Sequence, residues 1–249
     1  MPRVHVLTTK GCAQPERLRG VIAVVVDAIF ATTAIAVMME REVRQIVPTL
    51  DSHSARNAAM ELPPDEVLLV GEKDGEQIPG FLDPWPMNLL KADIRGKTVI
   101  YSTTNGTIAL NGAAGASIVL AASPVNARAV AEYIHRNHEG RNIVVICAGS
   151  GTAFSLEDFY GAGCLVSHLA SFGNSFALSD AANAARLLHD NAPAHECVYE
   201  TYAGRMMIAR GRSDDLRLVT MEDAFSVTPI FERGRIVNAN GRSANISNG

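Results

Sequence analysis

Cysteine is scarce and scattered: Cys12, Cys147, Cys164 and Cys197 form no C-x-x-C pair. That spacing argues against a zinc knuckle or a disulfide framework and fits a reduced, cytoplasmic protein. Basic residues are outnumbered, 22 against 26 acidic, for a net charge of −4. A surface whose main business is nucleic acid needs the opposite balance. Charged residues make up only 19% of the chain while 47% is hydrophobic, so disorder is not indicated. No G-x-x-x-x-G-K-[ST] loop, no H-E-x-x-H and no G-x-S-x-G occur, which argues against a P-loop nucleotide hydrolase, a zincin and a nucleophile-elbow hydrolase. The start, MPRVHVLTT, lacks the apolar core of a signal peptide. One apolar stretch, Gly20 to Met39, has the length of a membrane span. Asp27 interrupts it, and its valine-rich first half gives way to Ala and Met at helical spacing, so it reads as a strand followed by a helix. The protein is expected to be soluble and to bind neither membrane nor nucleic acid.

What is present is alternation. Apolar β-rich runs at Arg3–Leu7, Gly20–Asp27, Arg44–Pro48, Val67–Gly71, Lys97–Ser102, Ser117–Ala122 and Ile143–Ile146 read as strands. Between and after them, helices are predicted over Ala31–Glu42, Ser52–Leu62, Met87–Ala92, Asn126–Arg136, Phe159–Ser171, Asp180–His189 and Glu196–Arg210. Asp215–Val219 is ambiguous, and Met221–Phe225 reads as a helical turn. Pro229–Val237 reads as a hairpin turning at Arg233-Gly234, and the tail from Asn238 is polar and expected to be loose. The pattern predicts an α/β protein: a three-layer α/β/α fold with a largely parallel or mixed sheet, C-terminal helices and a terminal hairpin. It fits one domain over 1–249, or two subdomains, roughly 1–115 and 116–249.

Ligands of open parallel sheets bind beyond the carboxyl ends of the strands. Polar residues gather at those ends: Asp27, Glu72, the turn Thr103-Thr104-Asn105-Gly106, Ser150 in the glycine turn Gly149–Gly151, then Glu157 and Asp158 at a helix start. Each has a plain structural reading. Ser155 is a good N-cap, acids suit a first helical turn, and a Thr-Thr-Asn-Gly stretch makes a turn. Together they read as a magnesium–phosphate site, with carboxylates on a hard cation and turn N–H groups around the anion. Cys147 reads as a buried strand end. Trp85, the single tryptophan, reads as a pin holding its Pro-rich loop to the core, with a pocket wall as the other reading.

These residues carry a resemblance. VVVDAIFATT (Val24–Thr33), GEKDGEQIPGF (Gly71–Phe81), STTNGTIAL (Ser102–Leu110), ICAGSGTAFSLEDFYGAG (Ile146–Gly163) and DDLRLVTMEDAFSVTPIFERGRI (Asp214–Ile236) resemble, in order and over nearly the whole chain, the 2-phosphosulfolactate phosphatase family known from coenzyme M biosynthesis. The resemblance implies a Mg²⁺-dependent phosphatase acting on a small acidic phosphate monoester, expected to be a homodimer. It implies Asp27, Glu72, Glu157 and Asp158 as magnesium ligands, with Asp27, Glu157 and Asp158 as catalytic groups. Asp27 is either a nucleophile or a metal ligand. Thr32, Thr103, Thr104, Asn105, Gly106 and Ser150 are implied on the substrate side. Two departures stand out. Phe30 occupies the position of an arginine in the family's D-V-L-R-A-T-T, and Leu82–Asn88 lacks the family's Asn-Ser-Pro-x-Glu pattern. Lys73 replaces an arginine after Gly-Glu. An arginine fork grips an anion in a way phenylalanine cannot, so an altered substrate is expected. The alternative is a non-catalytic small-molecule-binding protein on the same scaffold.

Overall fold

Five consecutive buried residues, Ile-Ala-Val-Val-Val, form the central strand of the molecule, and their β-branched side chains suit a strand covered on both faces. The computed structural model describes residues 1–138, 140–173 and 175–240. Its strands are β1 (Arg3–Leu7), β2 (Ile22–Val26), β3 (Gln45–Thr49), β4 (Val67–Lys73), β5 (Glu76–Gln77), β6 (Thr98–Ser102), β7 (Ile118–Ala122), β8 (Ile143–Cys147), β9 (Ala177–Leu178), β10 (Pro229–Glu232) and β11 (Arg235–Asn238). Its α-helices are α1 (Ala31–Glu40), α2 (Ser52–Met60), α3 (Pro86–Lys91), α4 (Gly106–Gly112), α5 (Ala127–Asn137), α6 (Leu156–Ser171), α7 (Asp180–Asn191), α8 (Ala194–Tyr199), α9 (Tyr202–Ala209) and α10 (Ser213–Val219).

The sheet runs β5-β4-β6-β3-β11-β10-β7-β2-β8-β1-β9. Strands β4, β6 and β3 are parallel to one another, as are β7, β2, β8, β1 and β9. Between these two parallel blocks lies the hairpin β10–β11. It is antiparallel to β7 through Ile230↔Leu120 and to β3 through Ile236↔Ile46. Arg233 and Gly234, both at positive φ, make its two-residue turn, as the right-handed strand twist favours.

Period-2 alternation along β2 separates two cores. Ala23 and Val25 face one side, with α1 and the residues of α3 and α4. Ile22, Val24 and Val26 face the other, with α5, α6 and α7. The fold is therefore a three-layer α/β/α sandwich. Helix α1 is buried along its whole length up to Met39, as a helix apolar all round must be. The apolar stretch from Gly20 is thus a strand and a helix, and no helix among the described residues is long and apolar enough to cross a membrane.

The helix expected over Glu196–Arg210 is two, α8 and α9, broken at Glu200-Thr201. There Thr201 Oγ1 accepts the Gly204 N–H at 3.0 Å and starts a new helix. Asp215–Val219 belongs to α10, and the residues after it form turns rather than a helix. Ser155 stands at the N-cap of α6 with extended backbone, but its side chain caps nothing. Helices α8 to α10 pack through Val198, Met207, Leu216 and Val219 onto Ile29, Phe30 and Trp85, a small separate core. Trp85 is a pin: it is buried there, its ring centroid 5.5 Å from that of Phe30, with the Arg212 guanidinium over its ring. Of the polar tail, Asn238 closes β11 and the Asn240 side chain donates to Ser226 O, while residues 241–249 lie outside the described residues.

Candidate functional site

The carboxyl ends of β2, β4, β6 and β8 and the first turn of α6 deliver the expected acids to one rim. Asp27 leaves β2 buried, at 5% exposure. Burial pushes its carboxyl up to about 7. The backbone N–H groups of Ala31 and Phe30 oppose that push, and the charges of Glu72 and Glu157 add to it. Thr32 is fully buried and its hydroxyl serves Asp27's own backbone, accepting from the N–H and donating to the C=O at 2.9 Å each. The structure places Thr32 beneath Asp27, setting its backbone, rather than on a substrate surface.

Glu72, near the end of β4, is also buried. Its Oε1 accepts Thr104 N–H at 2.7 Å. Its Oε2 accepts Gly75 N–H at 2.7 Å and the Thr104 hydroxyl at 3.1 Å. The first half of the Thr-Thr-Asn-Gly turn is thus tied to an acid and closed by its own hydroxyls: the Thr107 hydroxyl donates to Thr103 O at 2.9 Å, and Thr107 N–H donates to Thr103 Oγ1 at 3.3 Å. Thr103 opens onto a separate cleft of about 240 Å³ beyond Glu72.

Asp158, 3% exposed, accepts Ala28 N–H on one oxygen and Gly149 N–H on the other, each at 2.8 Å. It clamps the loops after β2 and β8 together. Gly149 sits at φ 68°, and a Cβ there would meet Ala153 O at 2.6 Å, so the turn that presents this N–H requires glycine. Burial, then the charges of Asp27 and Glu157, raise the Asp158 carboxyl well above the usual range despite its two donors. Glu157 is raised by burial too, and the Thr201 hydroxyl at the start of α9 partly offsets this.

Sequence reasoning passes over Lys10, which the structure places at the centre. It lies three residues past the carboxyl end of β1, on the same rim. Its ammonium donates to Asn105 Oδ1 at 2.9 Å, Ala148 O at 2.8 Å and Gly151 O at 2.9 Å. Burial lowers its pKa, while Asp27 and Asp158 pull it back up. Asn105 Oδ1 also accepts Gly151 N–H at 3.3 Å, so Lys10 and Asn105 join the β1, β6 and β8 loops. The only sequence signal was position: a lysine in a turn following a strand that shares the rim. Gly106 is pressed against the acid, since a Cβ there would lie 2.7 Å from Asp27 Oδ2.

Beside these groups lies a cleft of about 320 Å³. Glu72, Thr104, Asn105, Ser150 and Gly151 line it together with Phe30, Tyr202 and Met206. Ser150 is exposed on it, and Tyr202 projects into solvent at 76% exposure. Arg210 bonds Gly75 O at its edge.

Among the described residues, no three of Asp27, Glu72, Glu157 and Asp158 bring carboxylate oxygens within 4.8 Å of one another. A cage of three carboxylates is therefore absent. Magnesium is commonly held by one or two carboxylates, with water and substrate phosphate completing its shell, a mode that needs no cage of three. Asp27 is buried among like charges that a cation would neutralise. The buried Tyr101 hydroxyl, raised by burial and then by Asp27 and Glu72, has no hydrogen-bond partner among the described residues.

Comparison with known proteins agrees with the sequence pattern. The profile of the family described as 2-phosphosulpholactate phosphatase matches residues 7–234. A protein of Symbiobacterium thermophilum named probable 2-phosphosulfolactate phosphatase is 32% identical over 226 residues, covering 89% of this chain and 96% of its own length. A protein of Carboxydothermus hydrogenoformans with the same name is 33% identical over 233 residues, covering 92% and 95%. Another with that name, from Clostridium perfringens strain SM101, is 30% identical over 238 residues, covering 94% and 95%.

Proposed function

The chain belongs to the 2-phosphosulpholactate phosphatase family, and from that premise we propose that it is a Mg²⁺-dependent phosphatase hydrolysing a small phosphate monoester. One observation carries the placement of the chemistry: Asp27, at the carboxyl end of the central strand, is buried at 5% exposure, with Gly106 of the Thr-Thr-Asn-Gly turn pressed against its Oδ2. Asp27 and Glu72 would hold the cation. When bound, Mg²⁺ supplies positive charge to the phosphoryl oxygens.

The chain's own residues do the rest. The Asp27 carboxylate either attacks phosphorus, forming an aspartyl phosphate that water then cleaves to release phosphate, or takes the proton of the water that attacks phosphorus directly. Glu157, raised by burial, is suited to return a proton to the leaving alcohol. Lys10 offsets the negative charge at the rim and fixes Asn105 against the Gly149–Gly151 turn. Asp158 holds the two loops that carry Asp27 and Ser150 in register. Thr104, Asn105, Gly106 and Ser150 form the wall against which the substrate lies.

The substrate differs from phosphosulfolactate on the side away from the phosphate. Phe30, Tyr202 and Met206 offer an apolar surface where the family pattern would set an arginine. The test is phosphate release from phosphosulfolactate and from a panel of monoesters, with Mg²⁺ and with chelator. Turnover that requires Mg²⁺ and is lost in Asp27→Asn is expected. Folded wild-type protein that releases phosphate from none of them overturns the reading.

A further inference from the structure

About two turns further along α6 from the rim acid Glu157, side chains far apart in sequence converge. Gly163 makes this possible. A Cβ there would lie 2.1 Å from Ala185 O and 2.9 Å from His189 Cβ, so only glycine lets α7 approach α6 this closely. The approach brings His189 beside the buried Cys164, and the turn after α10 adds Glu222. One ligand atom from each of these three residues lies within 4.8 Å of the other two.

Their outer atoms are already held. His189 Nδ1 lies 3.0 Å from Asp190 Oδ1, and Asp190 is itself fixed by the Ser167 hydroxyl at 2.8 Å and by Arg186 at 2.9 Å. That carboxylate–imidazole pairing turns the other ring nitrogen inward, to 3.4 Å from Glu222 Oε2. The Tyr160 hydroxyl donates to Glu222 Oε1 at 2.6 Å, leaving Oε2 facing the imidazole. Carboxylate-backed imidazoles and tethered carboxylates are the outer partners of metal sites. Tetrahedral zinc, with bonds of about 2.0–2.3 Å, sets neighbouring ligand atoms roughly 3.3–3.6 Å apart, which matches the imidazole–carboxylate separation.

We propose that Cys164, His189 and Glu222 form a binding site for Zn²⁺, with water in the fourth position. A thiolate and an imidazole select zinc over magnesium, so this site is chemically distinct from the rim acids. Cys164 is enclosed and Glu222 exposed, giving the ion an entry from solvent. Bound zinc staples α6, whose first turn carries Glu157 and Asp158, to α7 and to the segment after α10. A second triad, Cys164, His168 and Asp223, shares the thiol. It is the poorer site because Asp223 already accepts Arg128 N–H at 2.9 Å and the Arg128 side chain at 3.0–3.1 Å. The spacing of cysteines along the chain gives no hint of this site, since its three ligands come from separate segments.

The test is titration of untagged, chelator-treated full-length protein with Zn²⁺ and with Co²⁺. One equivalent per chain is expected, with a thiolate-to-Co²⁺ charge-transfer band. The band should vanish in Cys164→Ser and His189→Gln and persist in Asp27→Asn. Glu222→Gln, which keeps an oxygen acceptor for the Tyr160 hydroxyl, should weaken Zn²⁺ binding at least tenfold. Absence of stoichiometric Zn²⁺ binding by folded wild type overturns the site, as does an unchanged band in Cys164→Ser. Loss of the band in His168→Gln with retention in His189→Gln overturns this choice of ligands.

Discussion

Replacing Gly106 by alanine sets two effects of opposite sign against each other. Gly106 opens α4 at ordinary negative φ, and alanine is better than glycine inside a helix by up to about 1 kcal/mol. On propensity alone the variant gains stability. The geometry opposes this, because an alanine Cβ would lie 2.1 Å from Ala31 Cβ and 2.7 Å from Asp27 Oδ2, where ordinary contact begins at 3.4 Å. The start of α4 must therefore retreat by roughly 1 Å from the loop that carries Asp27. Overpacking of this kind costs about 1–3 kcal/mol, so once the full propensity gain is subtracted the net effect is a loss of up to about 2 kcal/mol. Catalysis should suffer more, since displacement by ~1 Å of a positioned group can cost about 10²-fold in rate. Gly112, in the same helix, is the control: nothing lies within 4 Å of its Cβ position, so Gly112→Ala should be neutral or stabilising. Urea midpoints and phosphate release at saturating substrate measure both variants. If Gly106→Ala matches Gly112→Ala in stability and rate, the close approach of α4 to Asp27 is refuted.

Further outcomes follow from single contacts. Lys10→Met strands the carbonyls of Ala148 and Gly151 and loosens Asn105. A loss of about 1–3 kcal/mol in urea denaturation is expected, and an unchanged midpoint contradicts the bridging role. Phe30→Arg should raise kcat/KM for phosphosulfolactate about tenfold or more, since a charge-assisted hydrogen bond contributes about 1.5–3 kcal/mol. No gain would show that Phe30 does not face the substrate. Thr201→Ala should cost about 1 kcal/mol by uncapping α9, read as a lower thermal midpoint. The Ser54 N–H, then the Ser54 hydroxyl, hold Asp51 below the usual carboxylate range at the start of α2. A depressed folded-state pKa gives stability that is fully present above the unfolded pKa, about 3.9, and lost as pH falls through the folded value. The advantage of wild type over Asp51→Asn should therefore fade on acidification below about pH 4, and a difference constant with pH refutes the cap's ionic character.

Much of the fold was legible. The Val/Ile runs and the helical spacing after them fixed nearly every strand and most helices, because backbone preference and burial pattern are short-range properties. The break at Glu200-Thr201 was not legible, because it is a tertiary arrangement: Gly204 packs so closely on Val198 O that a Cβ would lie 2.0 Å from it, a contact no short-range pattern announces. The site was legible as a set of rim residues, because parallel strands all present their carboxyl ends to one edge. The roles within the set were not. Thr32 and Asp158 look like chemical groups in the sequence, yet their side chains hold backbone. Lys10 looks incidental, yet it joins three loops.

The sequence by itself determined the alternation of elements, the apolar central strand, the glycine turns and the family. The tertiary structure alone decided which strand lies beside which. The C-terminal hairpin, plain in sequence as two short runs around Arg233-Gly234, becomes the seam between two parallel blocks because β3 and β7 both leave an edge for it to pair with. The same holds for the partners of Lys10, for the neighbours of Asp27 and for the meeting of Cys164, His189 and Glu222. Propensity acts over a few residues, whereas hydrogen bonds, fields and coordination act over a few ångströms, and only the folded chain converts one distance into the other.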